Sequence, residues 1–191
     1  MENKSNRPDP IYVNFEPTPN PATLKFMLSV KILDESIDFA SSMEAERSPL
    51  AAKIFGFPWT SRVFLGPDFV TVTKQDWVDW DVLAEPLAGL IREHLESGEA
   101  ICYEAPEGTN DEDANDSPLV KNIKRALNNE VRPVVALDGG DIVFAKFEDH
   151  KLFLHMRGSC AGCPSSSATL KQGIETRMRE LFPEIHEVVS L

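Results

Sequence analysis

Two cysteines three positions apart, Cys160 and Cys163, are the residues of this chain best suited to chemistry. They lie in the run Gly158-Ser159-Cys160-Ala161-Gly162-Cys163-Pro164, between a segment that alternates like a strand and one with helical periodicity. Pro164 suits the first position of a helix, and a helix start offers unpaired N–H groups and a positive dipole end. We therefore expect this turn to favour thiolate over thiol, and thiolates bind metals or attack disulfides.

Two thiolates alone do not complete the four-ligand shell of an iron-sulfur cluster or of a closed zinc site. The pair therefore predicts either redox chemistry of the thioredoxin type or a metal site completed by a second copy of the chain. Against the redox pair, the second cysteine precedes Pro164 and no βαβ unit surrounds the motif. Spacing alone leaves a thiol-disulfide oxidoreductase, a shared zinc site and a shared cluster open.

Other candidate residues are weaker. Cys102 is expected to be a core or linker-proximal thiol. His155 is expected near the cysteine turn as a candidate ligand or tuning group, whereas His94 is expected to be solvated or to cap its helix. Asp138 and Asp141 are explained by turn and cap chemistry. The sequence contains no phosphate-binding glycine loop, serine elbow or HExxH motif.

Composition narrows the class of protein. The chain has 191 residues, 42% hydrophobic and 26% charged, and its apolar runs are too short for a membrane span. A formal net charge of -12 argues against nucleic-acid binding. The polar start, residues 1–10, does not resemble a signal peptide and is expected to be disordered. Three cysteines, an odd number, fit a reducing compartment, so we predict a cytoplasmic protein.

Residues 104–117 read EAPEGTNDEDANDS, with six acids and no lysine or arginine. Such a segment buries too little surface to offset the entropy of ordering, and its charges repel one another. We predict a flexible acidic linker here. It separates two small α+β domains, residues 11–103 and 118–191.

The first domain is expected to contain two hairpins and two helices. The strands are predicted at residues 11–15, 23–30, 62–65 and 69–74, and the helices at 49–55 and from 76 or 77 to the Ser97-Gly98 stop. Pro86 is expected to kink or split the second helix. In the second domain a helix from Ser117-Pro118 to Leu137 is expected to kink or break near Val131, because Pro133 lies inside it. Strands at 142–147, 151–156 and 185–191 and a helix at 165–182 complete a three-stranded sheet with two helices.

Several motifs together resemble known families. The second domain resembles the NifU-like C-terminal domain of iron-sulfur cluster carriers, and the first is similar to the Nfu N-terminal scaffold domain. The second-domain likeness rests on Arg132-Pro133, Asp138-Gly139-Gly140-Asp141, Cys160-Ala161-Gly162-Cys163-Pro164, Thr169-Leu170-Lys171, Gly173-Ile174-Glu175 and Pro183-Glu184-Ile185. The first-domain likeness rests on Thr18-Pro19-Asn20-Pro21, Thr23-Leu24-Lys25-Phe26, Ser48-Pro49-Leu50 and residues 63–74.

The resemblance implies a non-enzymatic carrier of a 4Fe-4S cluster. Cys160 and Cys163 of each subunit would be the ligands at a homodimer interface, a cluster-assembly scaffold the donor, and apoproteins the recipients. Neither nucleic acid nor membrane is an expected partner. The first domain would dock targets. Gly56-Phe57-Pro58-Trp59 departs from the family pattern, and we expect it to be a packed loop rather than an exposed partner-binding tip.

Overall fold

The computed structural model describes residues 10–103, 116–161 and 164–191, with the side chains of residues 164–167 left out. The described chain is α+β, as predicted, and contains two separate hydrophobic cores, one in each half. Residues 1–9 of the predicted disordered start and residues 104–115 of the predicted linker lie outside the described residues. Within the described ranges, no helix has both the length and the apolarity needed to cross a membrane.

The N-terminal half is built on one antiparallel sheet. Its strands are β1 (Val13–Pro17), β2 (Thr23–Leu28), β3 (Ile37–Phe39), β4 (Thr60–Leu65) and β5 (Phe69–Lys74), in the order β1-β2-β5-β4-β3. Both predicted hairpins are confirmed, since β1 pairs with β2 and β4 with β5. The three-residue strand β3 was not predicted, because three residues are too few to display an alternating pattern.

Two helices and a short 3₁₀ turn (Glu44–Arg47) accompany this sheet. Helix α1 (Pro49–Phe55) starts where predicted, because the Ser48 hydroxyl accepts a hydrogen bond from the Ala51 N–H at 3.2 Å. Helix α2 (Trp80–Ser97) ends at Gly98. Pro86 does not split α2, and since Pro86 is exposed, the helix loses a backbone hydrogen bond only on its solvent side.

The C-terminal half contains a three-stranded sheet and a broken helical segment. In chain order its elements are α3 (Pro118–Ala126), a π-helical turn (Leu127–Val131), α4 (Arg132–Leu137), β6 (Gly140–Glu148), β7 (Lys151–Gly158), α5 (Pro164–Leu181) and β8 (Glu187–Ser190). Strand β7 is central, antiparallel to β6 and parallel to β8. The three-stranded sheet is confirmed.

The predicted break near Val131 is confirmed, and it takes the form of the π-helical turn. Pro133 has no N–H to donate and its ring crowds the preceding turn, so a regular α-helix cannot pass through this position. The wider turn ends at Val131, and α4 begins one residue later. This break directs α4 toward the start of β6, beside the end of β7.

Candidate functional site

Cys160 lies two residues beyond the end of β7, in a tight turn. The Ala161 N–H donates to the Gly158 carbonyl at 3.1 Å, and α5 begins at Pro164 as predicted. Gly158 is also paired in register with Gly140, the first residue of β6. Cys163, the second predicted ligand, lies outside the described residues.

The Cys160 side chain is buried, with only 5% of its surface exposed. It belongs to the C-terminal core together with Met156 and Ile174. A Cβ atom on Gly140 would overlap the Cys160 sulfur, so this position has room for the thiol only because residue 140 has no side chain. The two strand ends therefore form a fitted cradle around the sulfur.

Burial controls the protonation of this thiol. It raises the pKa of Cys160 to about 11 from the ordinary value of 9.0, while a hydrogen bond with Ser159 lowers it and the charges of Asp138 and Asp141 raise it further. The expectation that the turn favours thiolate is therefore wrong for the described conformation.

The two aspartates of the α4–β6 connection have structural roles that differ from the predicted turn and cap chemistry. The backbone carbonyl of Asp138 accepts a hydrogen bond from the Ser159 hydroxyl at 2.5 Å. This bond joins the α4–β6 connection to the turn of residues 158–161, which we call the cysteine turn. The buried Asp141 carboxylate accepts two hydrogen bonds from the Arg132 guanidinium, at 2.8 and 2.9 Å. This ion pair fixes α4 against the start of β6, and sequence reasoning missed it.

An apolar groove of ≈ 670 Å³ opens beside Cys160. Its walls come from α4 and α5, and Pro19 of the N-terminal half lies at its edge. The main apolar lining residues are Val131, Val134, Val135, Leu170 and Ile174. Val134 on the groove and its helical neighbour Leu137 are 59% and 71% exposed. Hydrophobic side chains this exposed, next to a thiol, mark a surface suited to contact with another molecule.

The other candidates lie away from this turn. Cys102 is half-buried against the N-terminal core, and its thiol donates to the Arg47 carbonyl at 3.2 Å. His155 is exposed on β7 and does not line the groove. Among the described residues, no three His, Cys, Asp or Glu side chains form a metal-binding group.

Two further expectations about side chains have clear outcomes. Trp59 is buried and stacks on Phe57, with ring centroids 5.2 Å apart, so the packed-loop interpretation of Gly56-Phe57-Pro58-Trp59 is confirmed. The expectation that His94 is solvated is wrong, because only 1% of its surface is exposed. Its position three residues after Ile91, on the apolar face of α2, was the signal that pointed to burial.

Comparison with known proteins covers both halves of the chain. A family model described as scaffold protein Nfu/NifU N terminal matches residues 13–98, and the NifU-like domain model matches residues 123–189. A solution NMR structure of a NifU-like protein from Saccharomyces cerevisiae is 26% identical and covers 55% of this chain and 94% of that one, with a TM-score of 0.46.

Curated relatives carry the printed name "NFU1 iron-sulfur cluster scaffold homolog, mitochondrial". The human protein is 37% identical over 181 residues, which is 93% of this chain and 71% of the relative. Those of Drosophila persimilis and Drosophila ananassae are 36% and 35% identical, and this chain spans 64% and 63% of their length. The chain belongs to the Nfu family of iron-sulfur cluster scaffold proteins.

Proposed function

We propose that two copies of this chain hold one 4Fe-4S cluster through Cys160 and Cys163 of each copy, and that the pair passes the cluster to apoproteins. The cluster is cargo, received from an assembly scaffold, and the chain acts on it as a binding protein rather than as an enzyme. The observation that carries the proposal is a single fitted thiol cradle beside an apolar groove, in a chain of the Nfu family.

The cysteine turn suits a negatively charged cargo. A cluster ligated by four thiolates is an anion, and burying an anion is costly without hydrogen-bond donors. Helix α5 begins at Pro164, directly after the cysteine pair, so its unpaired N–H groups and positive dipole end lie at the ligand turn. Ligation requires loss of the Cys160 proton, so cluster loading is expected to release protons.

The groove supports a shared site. Each chain contributes two cysteines and a four-thiolate cluster needs four, so two copies related by a twofold axis complete the shell. In such a pair the exposed side chains of Val134 and Leu137 lie close to the cysteine turn and would be covered by the partner. An interface of this kind separates more readily than a domain core, which suits a carrier that must release its cargo.

The rival function, a thiol-disulfide oxidoreductase, is disfavoured by the state of Cys160. Burial raises the pKa of Cys160 to about 11, so this thiol is neutral at pH 7 in the described conformation. An attacking thiol works best with a pKa near the ambient pH and with access to its substrate. The buried Cys160 has neither property in the described conformation.

Anaerobic reconstitution of the full chain with iron and sulfide tests the proposal. Wild type is expected to hold about four iron and four sulfide ions per two chains, in a coloured dimer on size-exclusion chromatography. Cys160→Ser is expected to stay colourless and unpaired, whereas the matched control Cys102→Ser loads like wild type. A product that contains only zinc, or a Cys163→Ser chain that traps a mixed disulfide, would overturn the proposal.

We also propose a cytoplasmic location, because three cysteines without an even pairing fit a reducing compartment. The printed names of the relatives place those proteins in mitochondria, so the two locations compete. Fractionation of the source cells with an antibody to the chain decides between them.

A further inference from the structure

The sheet of the N-terminal half has two very different faces. On one face, alternate residues of β2, β4 and β5 belong to the core that α1 and α2 cover, among them Phe26, Val63 and Val72. Because side chains alternate along a strand, the residues between them point to the opposite, outer face. Within residues 10–103, no helix lies on the outer face, so this part of the chain alone would expose it.

One cross-strand row runs over the whole outer face. Following the register from β1 to β3, directly paired positions are Glu16, Lys25, Thr71, Phe64 and Asp38. We call these five residues the docking row. Lys25, Thr71 and Phe64 are buried, and Phe64 is completely inaccessible although it is not part of the helix-covered core. Something outside the N-terminal half therefore covers the row.

The covering group is the cysteine-bearing end of the C-terminal half. Lys25 Nζ donates to the Leu137 carbonyl at 3.0 Å, immediately before the α4–β6 turn. The Thr71 methyl group lies so close to Gly139 that a Cβ there would stand 2.6 Å from it, and Gly139 has a φ of 77° that favours glycine.

The other half of the row meets the cysteine turn itself. The Phe64 ring lies 3.1 Å from where a Cβ on Gly158 would be. Burial raises the pKa of Asp38, and the charges of Arg62 and Arg157 and the Gly158 N–H oppose this. At the edge of the sheet, the Asn20 amide donates to the Ser159 carbonyl at 3.3 Å. Ser159 is the residue directly before Cys160.

The contact between the halves includes features that oppose closure. It buries the Phe64 ring together with polar and backbone groups, and one buried oxygen in it, Thr71 Oγ1, has no hydrogen-bond partner among the described residues. Unsatisfied buried oxygens oppose closure, because water would satisfy them in an open molecule. Contacts of this composition resemble transient interfaces between domains rather than a permanent core.

We infer that the docking row is an internal competitor for the cysteine turn: the N-terminal half seats on the turn in the cluster-free chain and must leave before a second copy can share a cluster there. The inference rests on the proposed shared cluster. Two cysteine turns that ligate one cluster lie within about a cluster's width of each other. The N-terminal half is bonded to Ser159, and its Pro19 lines the edge of the groove beside Cys160, so this half narrows the approach of a second cysteine turn. The closed chain and the loaded pair therefore compete, and closure lowers the apparent affinity for the cluster.

Backbone ¹⁵N relaxation of the full, cluster-free, reduced chain tests the closed state without any cluster. Lys25→Glu places a carboxylate against the Leu137 carbonyl, with Lys31→Glu as the matched control, an exposed lysine of the same half. Thr71→Arg fills the space above Gly139, with Thr73→Arg as its control on the same face of the same strand. Having two unrelated variants guards against one that fails to fold.

Wild type and both controls are expected to show one correlation time for both halves. In Lys25→Glu and Thr71→Arg the two halves are expected to tumble separately, with correlation times about twofold shorter, since each half carries about half of the mass. In anaerobic loading the same two variants reach half-completion severalfold sooner. Separate tumbling in wild type, or released variants that load no faster than wild type, would overturn the inference. If neither wild type nor any variant binds a cluster, the proposed function is overturned instead. The relaxation data on the cluster-free chain then still decide whether the two halves are in contact.

Discussion

Gly140 shows how one absent side chain defines the candidate site. A methyl group at this position would overlap the Cys160 sulfur and stand only 3.0 Å from the Arg157 carbonyl oxygen. The strand pairing of Gly140 with Gly158 holds the two chain segments at this distance. The cradle around the Cys160 sulfur is therefore formed by the backbones of two chain segments and not by the cysteine alone.

Gly140→Ala is expected to lower the free energy of unfolding of the C-terminal half by about 1–3 kcal/mol, because the pocket must shift to admit the methyl group. Urea unfolding followed by far-ultraviolet circular dichroism measures this. The control Gly89→Ala, in helix α2 with nothing within 4 Å of its Cβ position, is expected to gain about 0.5–1 kcal/mol. Equal stability of wild type and Gly140→Ala would contradict the close approach described here.

For single residues, the sequence identified the candidate ligands but not the protonation state of Cys160. The cysteine spacing and Pro164 indicated a turn before a helix, and this part of the prediction is confirmed. The neutral thiol was not predictable, because it depends on Gly140, twenty residues earlier in the chain, and on packing with Ile174. The spacing of the two cysteines does not show how strongly residues distant in the sequence exclude solvent from the Cys160 sulfur.

His94 joins α2 to α1 through a small polar cluster. Its Nδ1 lies 3.1 Å from Lys53 Nζ and 3.6 Å from a Glu99 carboxylate oxygen. Burial, and secondly the Lys53 charge, hold the pKa of His94 below its ordinary value of 6.5, while Glu99 opposes them. The folded state therefore contains neutral His94 under conditions in which an unfolded chain binds a proton.

The N-terminal half is consequently expected to lose stability as the pH falls below 6.5. A lowered folded pKa stabilises the fold above the unfolded value, and this contribution is lost on acidification. All three tryptophans lie in this half, so fluorescence reports its unfolding selectively. The urea midpoint should fall less between pH 7.5 and 5.5 in His94→Gln than in wild type. The control His155→Gln, on an exposed residue of β7, should behave like wild type.

The Arg132–Asp141 pair joins α4 to β6 across the turn that faces the cysteine. Arg132→Gln leaves a buried carboxylate without its bidentate partner and is expected to cost the C-terminal half about 2–4 kcal/mol. Arg132→Lys should recover only part of this, because lysine cannot form the two parallel hydrogen bonds. Lys146→Gln, which removes an exposed pair with Glu148, should change stability far less than either Arg132 variant. Chemical denaturation of the four chains checks the ranking.

Among the elements, those with clear periodicity or a strong boundary residue were predictable. Helix α1 begins at a serine cap followed by proline, and the β4–β5 hairpin is bounded by Gly66-Pro67-Asp68. Strand β3 lacked such a signal, and Pro86 was over-interpreted because its exposure on α2 was unknown. Local patterns predict an element, but tertiary packing decides how costly an interruption is.

For the whole molecule, the sequence predicted two halves and an acidic segment between them, but not that the halves touch. The docking row alternates with core residues as an ordinary solvent-facing strand surface does, and only the register brings Lys25, Thr71 and Phe64 into line. Such a surface is identified as an interface only when its burial is seen. Contact between halves is thus the feature least accessible to sequence reasoning.

The net charge of the chain predicts how dimer formation depends on salt. Each chain carries a formal charge of -12, and a shared cluster adds further negative charge, so two copies repel each other as they form the proposed pair. Raising the salt concentration from about 0.01 to 0.1 M shortens the Debye length from about 30 to 10 Å, which screens most of this repulsion. Sedimentation velocity of the loaded protein under anaerobic conditions is therefore expected to show tighter dimers at higher salt. A chain with Glu35, Glu46 and Glu93 changed to glutamine should depend less on salt. Weaker dimers at higher salt would instead show that ion pairs across the interface dominate, contrary to the apolar contact proposed around Val134 and Leu137.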